Sequence, residues 1–478
     1  MATISSTGLG SGINVEAVVT QLMSVEKRPL NLLQQANSTL NTRLSAVGKL
    51  TSYTSEMRDA ANALSSVLLW KQTAATSSDS AAVGVSSAGG AVAGSYAIGV
   101  QQLASTQTVA SQRFAASDTV VGTGTLKIEL GSWTGEPTPT GFSAKSEVTV
   151  TIGEEDNTLE KIRDKINAAG AGVTATIVTD SQGARLALRS ASTGAESAFR
   201  VTATETADDG STTTGLSTLG FSAVGASAMT RTQTAADAVA TINGIQVTSA
   251  SNKLENVAEG LTLTLNKTTT SAVEVKVNAD DEAVTKAVDT FVKAFNQLAS
   301  YIAEQTKYDA DTKKGGTLQG DRTTVSLQSQ LRNVINEGSS ASSVYGRLSD
   351  VGISMGANGQ LSVDSTKLKN ALTSQREELR KVFAEDADTT AGSGFMDRFR
   401  DLGNAVLGSE GLLTTRTSGI QSQIKQNEKS QDAFEVRLAL AEARLRRQYQ
   451  ALDTSMTTLS GLSSYVTQQL AALNKSSS

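Results

Sequence analysis

Apolar residues recur at helical spacing near both ends of the chain and at alternating spacing between them. Near the start, Asn14 is placed to cap a helix carrying Val15, Val18, Val19, Leu22 and Val25. Pro29 interrupts or restarts it. Beyond Pro29, Leu33, Leu40, Val47, Thr54, Ala61 and Leu68 form one seven-residue row, and Ala36, Arg43, Leu50, Met57 and Leu64 a second. The two rows predict an imperfect heptad seam over 31–69. At the other end the spacing is stricter: Leu438, Leu445, Leu452, Leu459, Val466 and Leu473, with Ala441, Tyr449, Met456, Leu462 and Leu470 close by on the same face. Polar residues around Gln448–Ser455 interrupt it. A bare helix with this stripe exposes it to water and needs a partner. The N-terminal helix is the natural one, and copies of the chain or other helical subunits would cover the rest.

Between 71 and 279 the period becomes two: Tyr96-Ala-Ile98-Gly-Val100, Val148-Thr-Val150-Thr-Ile152 and Leu261-Thr-Leu263-Thr-Leu265. Asn243-Gly244, between Thr241-Ile242 and Ile245-Gln-Val247, predicts a tight hairpin. Ser181-Gln-Gly183 joins Val173–Val178 to Leu186–Leu188 in the same way, after a short helix over Leu159–Ala169. An amphipathic helix returns at Ala283–Ile302, and a short β segment at Gly352-Ile353 and Leu361-Ser-Val363 turns at Asn358-Gly359. The pattern predicts an α+β multidomain chain: terminal coiled-coil helices and a helical-bundle stem carrying nested β-rich head domains. The boundaries expected are a coiled-coil leg from 1–42 with 432–478, and a helical stem from 43–70 with 280–431. A β-rich head would comprise 71–120 with 236–279, and a second head would be inserted at 121–235.

Composition narrows the chemistry. The chain has 478 residues, no cysteine and no histidine. Without them there is no disulfide frame, no Cys/His metal site, no Ser-His-Asp triad and no Cys-His pair. The formal charge of −5 offers no basic excess for nucleic acid. No apolar run reaches 18 residues, so no membrane insertion is expected, and the opening has neither the basic nor the apolar region of a cleavable signal peptide. Several clusters imitate sites. Glu154-Glu155-Asp156 and Asp280-Asp281-Glu282 fall at element boundaries, where a solvated helix start explains them. Asp309-Ala-Asp311-Thr-Lys313 opens like a calcium loop, but Lys314 takes its glycine position and Gly320 its final glutamate. Gly8-Leu-Gly10-Ser-Gly12 follows no strand and has Ile13 where a dinucleotide loop needs glycine. No catalytic, metal or cofactor residue is nominated.

Three stretches carry a family likeness: Ser6-Thr-Gly8-Leu-Gly10-Ser-Gly12-Ile-Asn-Val15 with Gln21-Leu22-Met23 and Glu26-Lys-Arg-Pro29-Leu30; Tyr449-Gln-Ala-Leu452-Asp-Thr-Ser-Met456; and Ser463-Ser464-Tyr465-Val466-Thr-Gln-Gln469-Leu470. They closely resemble the termini of flagellar filament cap proteins, also called hook-associated protein 2. Tyr96–Ala104, Thr241–Ile245, Glu259–Leu263 and Leu348–Asp364 look like segments of that family's middle and C-terminal region, whereas 121–235 adds little. Asn14 stands where the family often has an acidic residue, and caps as well. The resemblance implies a non-enzymatic protein without cofactor at the extracellular tip of the bacterial flagellum, exported by the flagellar type III route. It implies a ring-like homo-oligomer, pentamer or hexamer, which promotes folding and insertion of flagellin. It also implies contacts with hook–filament junction proteins and an export chaperone. Some members of the family contribute to adhesion as well. The residues expected to dock on neighbouring subunits or the filament are Leu9, Val18, Leu22, Leu438, Leu445, Leu452, Leu459, Val466 and Leu473. Another axial flagellar protein, a surface adhesin on a coiled-coil stalk, and a carboxylate-based secreted glycosidase are the competing readings. The last needs two converging carboxylates that no segment supplies.

Overall fold

The computed structural model describes residues 14–136, 139–222 and 227–476, with backbone only for 473–476. Its helices are α1 (Val15–Glu26), α2 (Arg28–Ser65), the single turn α3 (Val67–Trp70), α4 (Leu159–Ala168), α5 (Asp281–Thr306), α6 (Arg322–Asn336), α7 (Ser365–Ser374), α8 (Arg376–Ala384), α9 (Phe395–Leu407) and α10 (Leu412–Ser476). The chain divides into two compact units, one of Met1–Leu69 with Asp281–Ser478 and the other of Trp70–Asp280. The expected α+β class holds.

The first unit is a bundle in which α2 packs against α5, α9 and α10. Asn14 Oδ1 accepts from Ala17 N at 2.9 Å, capping α1 as its side chain predicts. Pro29 sits in the first turn of α2, where its missing N–H costs nothing. The seam of α2 is narrower than the heptad rows suggest. Val47, Leu50, Thr54, Met57, Ala61 and Leu64 are buried, but Leu33 and Leu40 are half-buried and Ala36 and Arg43 exposed. Leu68 is 77 % exposed because the helix breaks at Ser66, whose extended backbone ends the period. The bundle core is aromatic. Phe399 of α9 lies 5.1 Å from Phe291 and 5.8 Å from Phe295 of α5, ring centre to ring centre, and all three are fully buried. Close approach of α2 and α9 depends on Gly403, where a Cβ would come within 2.6 Å of the Arg58 side chain.

Two side chains pin the loops between these helices. Arg398 is buried, and its guanidinium donates to the carbonyls of Ser393, Gly338 and Ala391. Burial pushes that guanidinium below its ordinary value. Glu378 of α8 accepts from Ser342 Oγ at 2.8 Å and from Ser343 N at 2.9 Å, while Lys381 donates to its other oxygen at 2.8 Å. The Lys381 ammonium first, then these loop donors, hold its carboxyl down at about 2 from an ordinary 4.5. A depressed carboxylate stabilises the fold above its unfolded value and loses that contribution as pH falls through the folded one. Glu378→Gln is therefore expected to lower the thermal midpoint of the helical unit near neutral pH. Its deficit against wild type should shrink as pH drops from 4.5 towards about 2. A deficit independent of pH across that interval, in calorimetric scans, would remove the charge from this account.

The second unit has two apolar cores. In the first, an antiparallel five-stranded sheet runs Thr73–Ser77, Val273–Ala279, Gly94–Gln102, Ala238–Ile242, Ile245–Ser249 across its width. It shares a core with a three-stranded sheet of Lys253–Ala258, Leu261–Leu265 and Val83–Ser87, through residues such as Ile98, Val275, Leu254 and Leu263. The Asn243-Gly244 turn forms as expected, with φ of 50° and 85°, values that Asn and Gly accept most readily. In the second core, the strands Thr230–Gln233, Thr108–Ala110, Gly183–Ser190 and Val173–Asp180 form one sheet, and Gly141–Ile152, Gly124–Thr134 and Ala198–Glu205 another. Ile162 and Ile166 of α4 enter that core beside Leu126, Leu186 and Phe199. The outer edge of Val173–Asp180 is covered by α4: the Asn167 amide donates to Ala175 O at 2.9 Å and accepts from Ala175 N at 2.7 Å. Such an amide satisfies an edge that would otherwise seek a partner.

Candidate docking surface of the terminal helices

The two ends of the chain pair, and they do so antiparallel. Val15, Val19 and Met23 of α1, with Leu30 of α2, form a buried cluster with Leu438 of α10, flanked by Phe434, Leu445 and Tyr449. Residues 15, 19 and 23 lie one turn apart on a single helix face, which Asn14 helps to start. Across the pair, Arg446 makes a two-pronged bond to Glu16, Nη1 to Oε2 at 2.5 Å and Nη2 to Oε1 at 2.8 Å. Arg446 also donates to Glu442 at 3.0 Å. Its hydrogen bonds lower the Glu16 carboxyl and raise the guanidinium, so both stay charged across ordinary pH. Being exposed, this ion pair contributes little to stability but fixes the register of the two helices.

The expected docking residues separate into three groups. Leu438 is buried and Leu445 half-buried in the α1–α10 seam. Val18 is half-buried and Leu22 is 40 % exposed, because α1 turns Val15, Val19 and Met23 inward instead. Leu452, Leu459 and Val466 are 46 %, 64 % and 48 % exposed, and Met456, Leu462, Tyr465 and Leu470 join them, at 41–61 %. Leu9 and the side chain of Leu473 lie outside the described residues, as does the Gly8–Gly12 segment. Sequence reasoning missed Phe434 and the exposed Leu440; Phe434 is four residues before Leu438, a spacing that reveals it. It also stopped α10 short, for the helix begins at Leu412.

The acidic runs do what their positions suggest. Glu154–Asp156 form a single turn before α4, with Glu154 and Glu155 exposed and Asp156 paired with Lys165, and Asp281 begins α5. Asp309 Oδ1 accepts from the amides of Asp311 and Thr312, closing a hairpin rather than a metal loop. Glu205, Asp208 and Asp209 come close enough to share a cation. Each is engaged in shaping its own turn, through Ser217 N, Gly210 N and Ser211 N respectively. The arrangement that stands out is therefore a long helix whose start packs in the bundle, whose middle is covered by α1 and whose last part presents seven large apolar side chains to water.

Residues 11–107 match the family model for the flagellar hook-associated protein 2 N-terminus, and residues 235–461 match that for its C-terminus. Residues 139–192 match the flagellin hook IN motif. The flagellar hook-associated protein 2 of Escherichia coli (strain K12) is 31 % identical over 98 % of each chain. That of Salmonella typhimurium (strain LT2) is 30 % identical over 100 % of each, and the B-type protein of Pseudomonas aeruginosa 30 % identical over 98 % of each. The crystal structure of the D1-D2-D3 domains of the flagellar cap protein FliD from Escherichia coli aligns with a TM-score of 0.59 at 28 % identity, covering 79 % of this chain and 99 % of that one. The chain belongs to the flagellar hook-associated protein 2 family.

Proposed function

We propose that this protein caps the growing end of the bacterial flagellar filament, as the names of its relatives indicate for them. Copies associate into a ring-like homo-oligomer, the terminal helices dock on neighbouring subunits, and exported flagellin folds and inserts under the cap. Export runs through the flagellar type III channel, with a chaperone beforehand and hook–filament junction proteins as the first surface met. One observation carries the reading: the exposed apolar run from Leu452 to Leu470 on a helix otherwise committed to a partner. Covering it would yield roughly 1 kcal/mol for each half-exposed side chain, on the order of 5–10 kcal/mol in all. That is enough to anchor a subunit and is wasted in an isolated one. The role is mechanical, and no step of it requires a cofactor or a reacting side chain.

The test is complementation of a strain lacking its own cap protein. Expression of this chain restores filaments and motility, and gold-labelled antibody marks filament tips. Secretion of unpolymerised flagellin into the medium at the level of the capless strain, with the protein expressed and exported, would overturn the assignment.

A further inference from the structure

The α10 helix carries opposite charges on two flanks of successive segments. At about 100° per residue, Phe434, Leu438, Leu445 and Tyr449 share the face turned to α1. Arg437, Leu440, Arg444 and Arg447 follow one another three, four and three residues apart, so they make a second stripe beside that seam, and all four are exposed. Together with Phe434, Ala441 and Glu26 of α1 they line an open groove of about 570 Å³. Arg437 lies over the Phe434 ring at 5.4 Å. Glu428, Asp432 and Glu435 are spaced four and three apart on the other flank, also exposed. The acidic stripe lies roughly 100° to one side of the seam and the basic one roughly 130° to the other. Lys425 falls between them and Lys429 on the basic side. Among the described residues, none of the three arginines or three carboxylates on these stripes has an ion-pair partner within the chain.

We propose that the groove of one subunit receives the acidic flank of α10 from a second copy, so that neighbouring terminal helices lock basic side to acidic side. The inference rests on the self-assembly in the reading above and names its contact. Two different surfaces of one chain that complement each other make a head-to-tail interface, the kind that repeats around a ring; a patch that matched only itself would stop at a dimer. The exposed Leu440 supplies apolar area at the centre, and the arginines can engage carboxylates with two hydrogen bonds each. The stripe centres are offset by about ten residues, or ~15 Å of helix rise. Neighbouring helices therefore tilt across one another instead of standing in register.

Charge reversal separates this contact from simple stickiness. One full-length variant carries Glu428→Lys, Asp432→Lys and Glu435→Lys; another carries Arg437→Glu, Arg444→Glu and Arg447→Glu. Arg446 is left intact to preserve its bond to Glu16. Each variant alone should associate at least tenfold more weakly than wild type in sedimentation velocity, with unchanged circular dichroism. An equimolar mixture should recover assembly, because one species is basic on both flanks and the other acidic on both. Raising NaCl towards 1 M, where the screening length falls to about 3 Å, should weaken wild type and mixture alike. Variants that assemble like wild type, or a mixture that fails to recover, overturn the proposed contact. Wild type that stays monomeric at every concentration and salt tested overturns the self-assembly reading itself.

Discussion

Joint substitution of Leu452→Asp and Leu459→Asp is expected to abolish filament elongation while leaving both compact units folded. The two side chains are 46 % and 64 % exposed, and their loss removes almost nothing from the isolated chain. Exposed substitutions of this kind stay within about 0.5 kcal/mol of stability. In a docked helix the account reverses. Each aspartate would have to leave water for an apolar seam, or surrender its charge, at a cost of several kcal/mol. With 1.4 kcal/mol per tenfold in affinity, two such sites weaken docking by about 10³ or more. Filament lengths in a complemented capless strain, measured by electron microscopy, report the functional loss. Thermal unfolding of the secreted protein reports the fold. Filaments of normal length would show that the end of α10 is not the anchor. A collapsed melting transition would instead show that these leucines hold the monomer together, against their exposure.

How far the sequence foretold this surface depends on what kind of information each residue carries. The heptad row from Leu438 is visible because a long helix with one partner needs a strict period. Where the internal seam ends and the exposed run begins is invisible, since a leucine at a seam position reads alike whichever molecule covers it. The face of α1 was ambiguous for a related reason. Val15, Val18, Val19, Leu22 and Val25 cover more than one side of the helix, and the choice of Val15, Val19 and Met23 is made by Leu438 and the Glu16–Arg446 pair, more than 400 residues away in sequence. Local signals did better where local physics decides. Asn243-Gly244 demanded its turn, and the alternation at Leu261–Leu265 emerges as buried, half-buried, buried, exposed, buried. The helices α6 to α9 escaped notice because each is short: α6 to α8 bury only a few side chains, such as Leu327 and Leu331 in α6, and α9 buries five consecutive residues from Phe395 to Phe399, which show no helical period. Their neighbours, not their own periods, stabilise them.

Those short helices make the bundle vulnerable at one point. Phe399→Ala is expected to destabilise the helical unit by about 3–5 kcal/mol, the usual cost of deleting a buried aromatic ring. Phe399 is fully buried against both Phe291 and Phe295, which belong to a different helix. The neighbouring Gly403 holds α9 tight against Arg58, so the backbone has little freedom to collapse into the space left behind. For a unit of this size the loss corresponds to a fall of roughly 10 °C in the helical transition. Phe399→Leu, which retains most of the volume, should recover more than half of it. The β-rich unit has its own two cores, neither of which includes any residue of this aromatic cluster, so its transition should not move. Calorimetry on the full chain can separate the cases. A shift confined to one transition supports independent cores. A single transition that falls as a whole would mean that the aromatic cluster underwrites both units, and the division of the chain at Leu69 and Asp281 would then describe contact density without describing cooperativity.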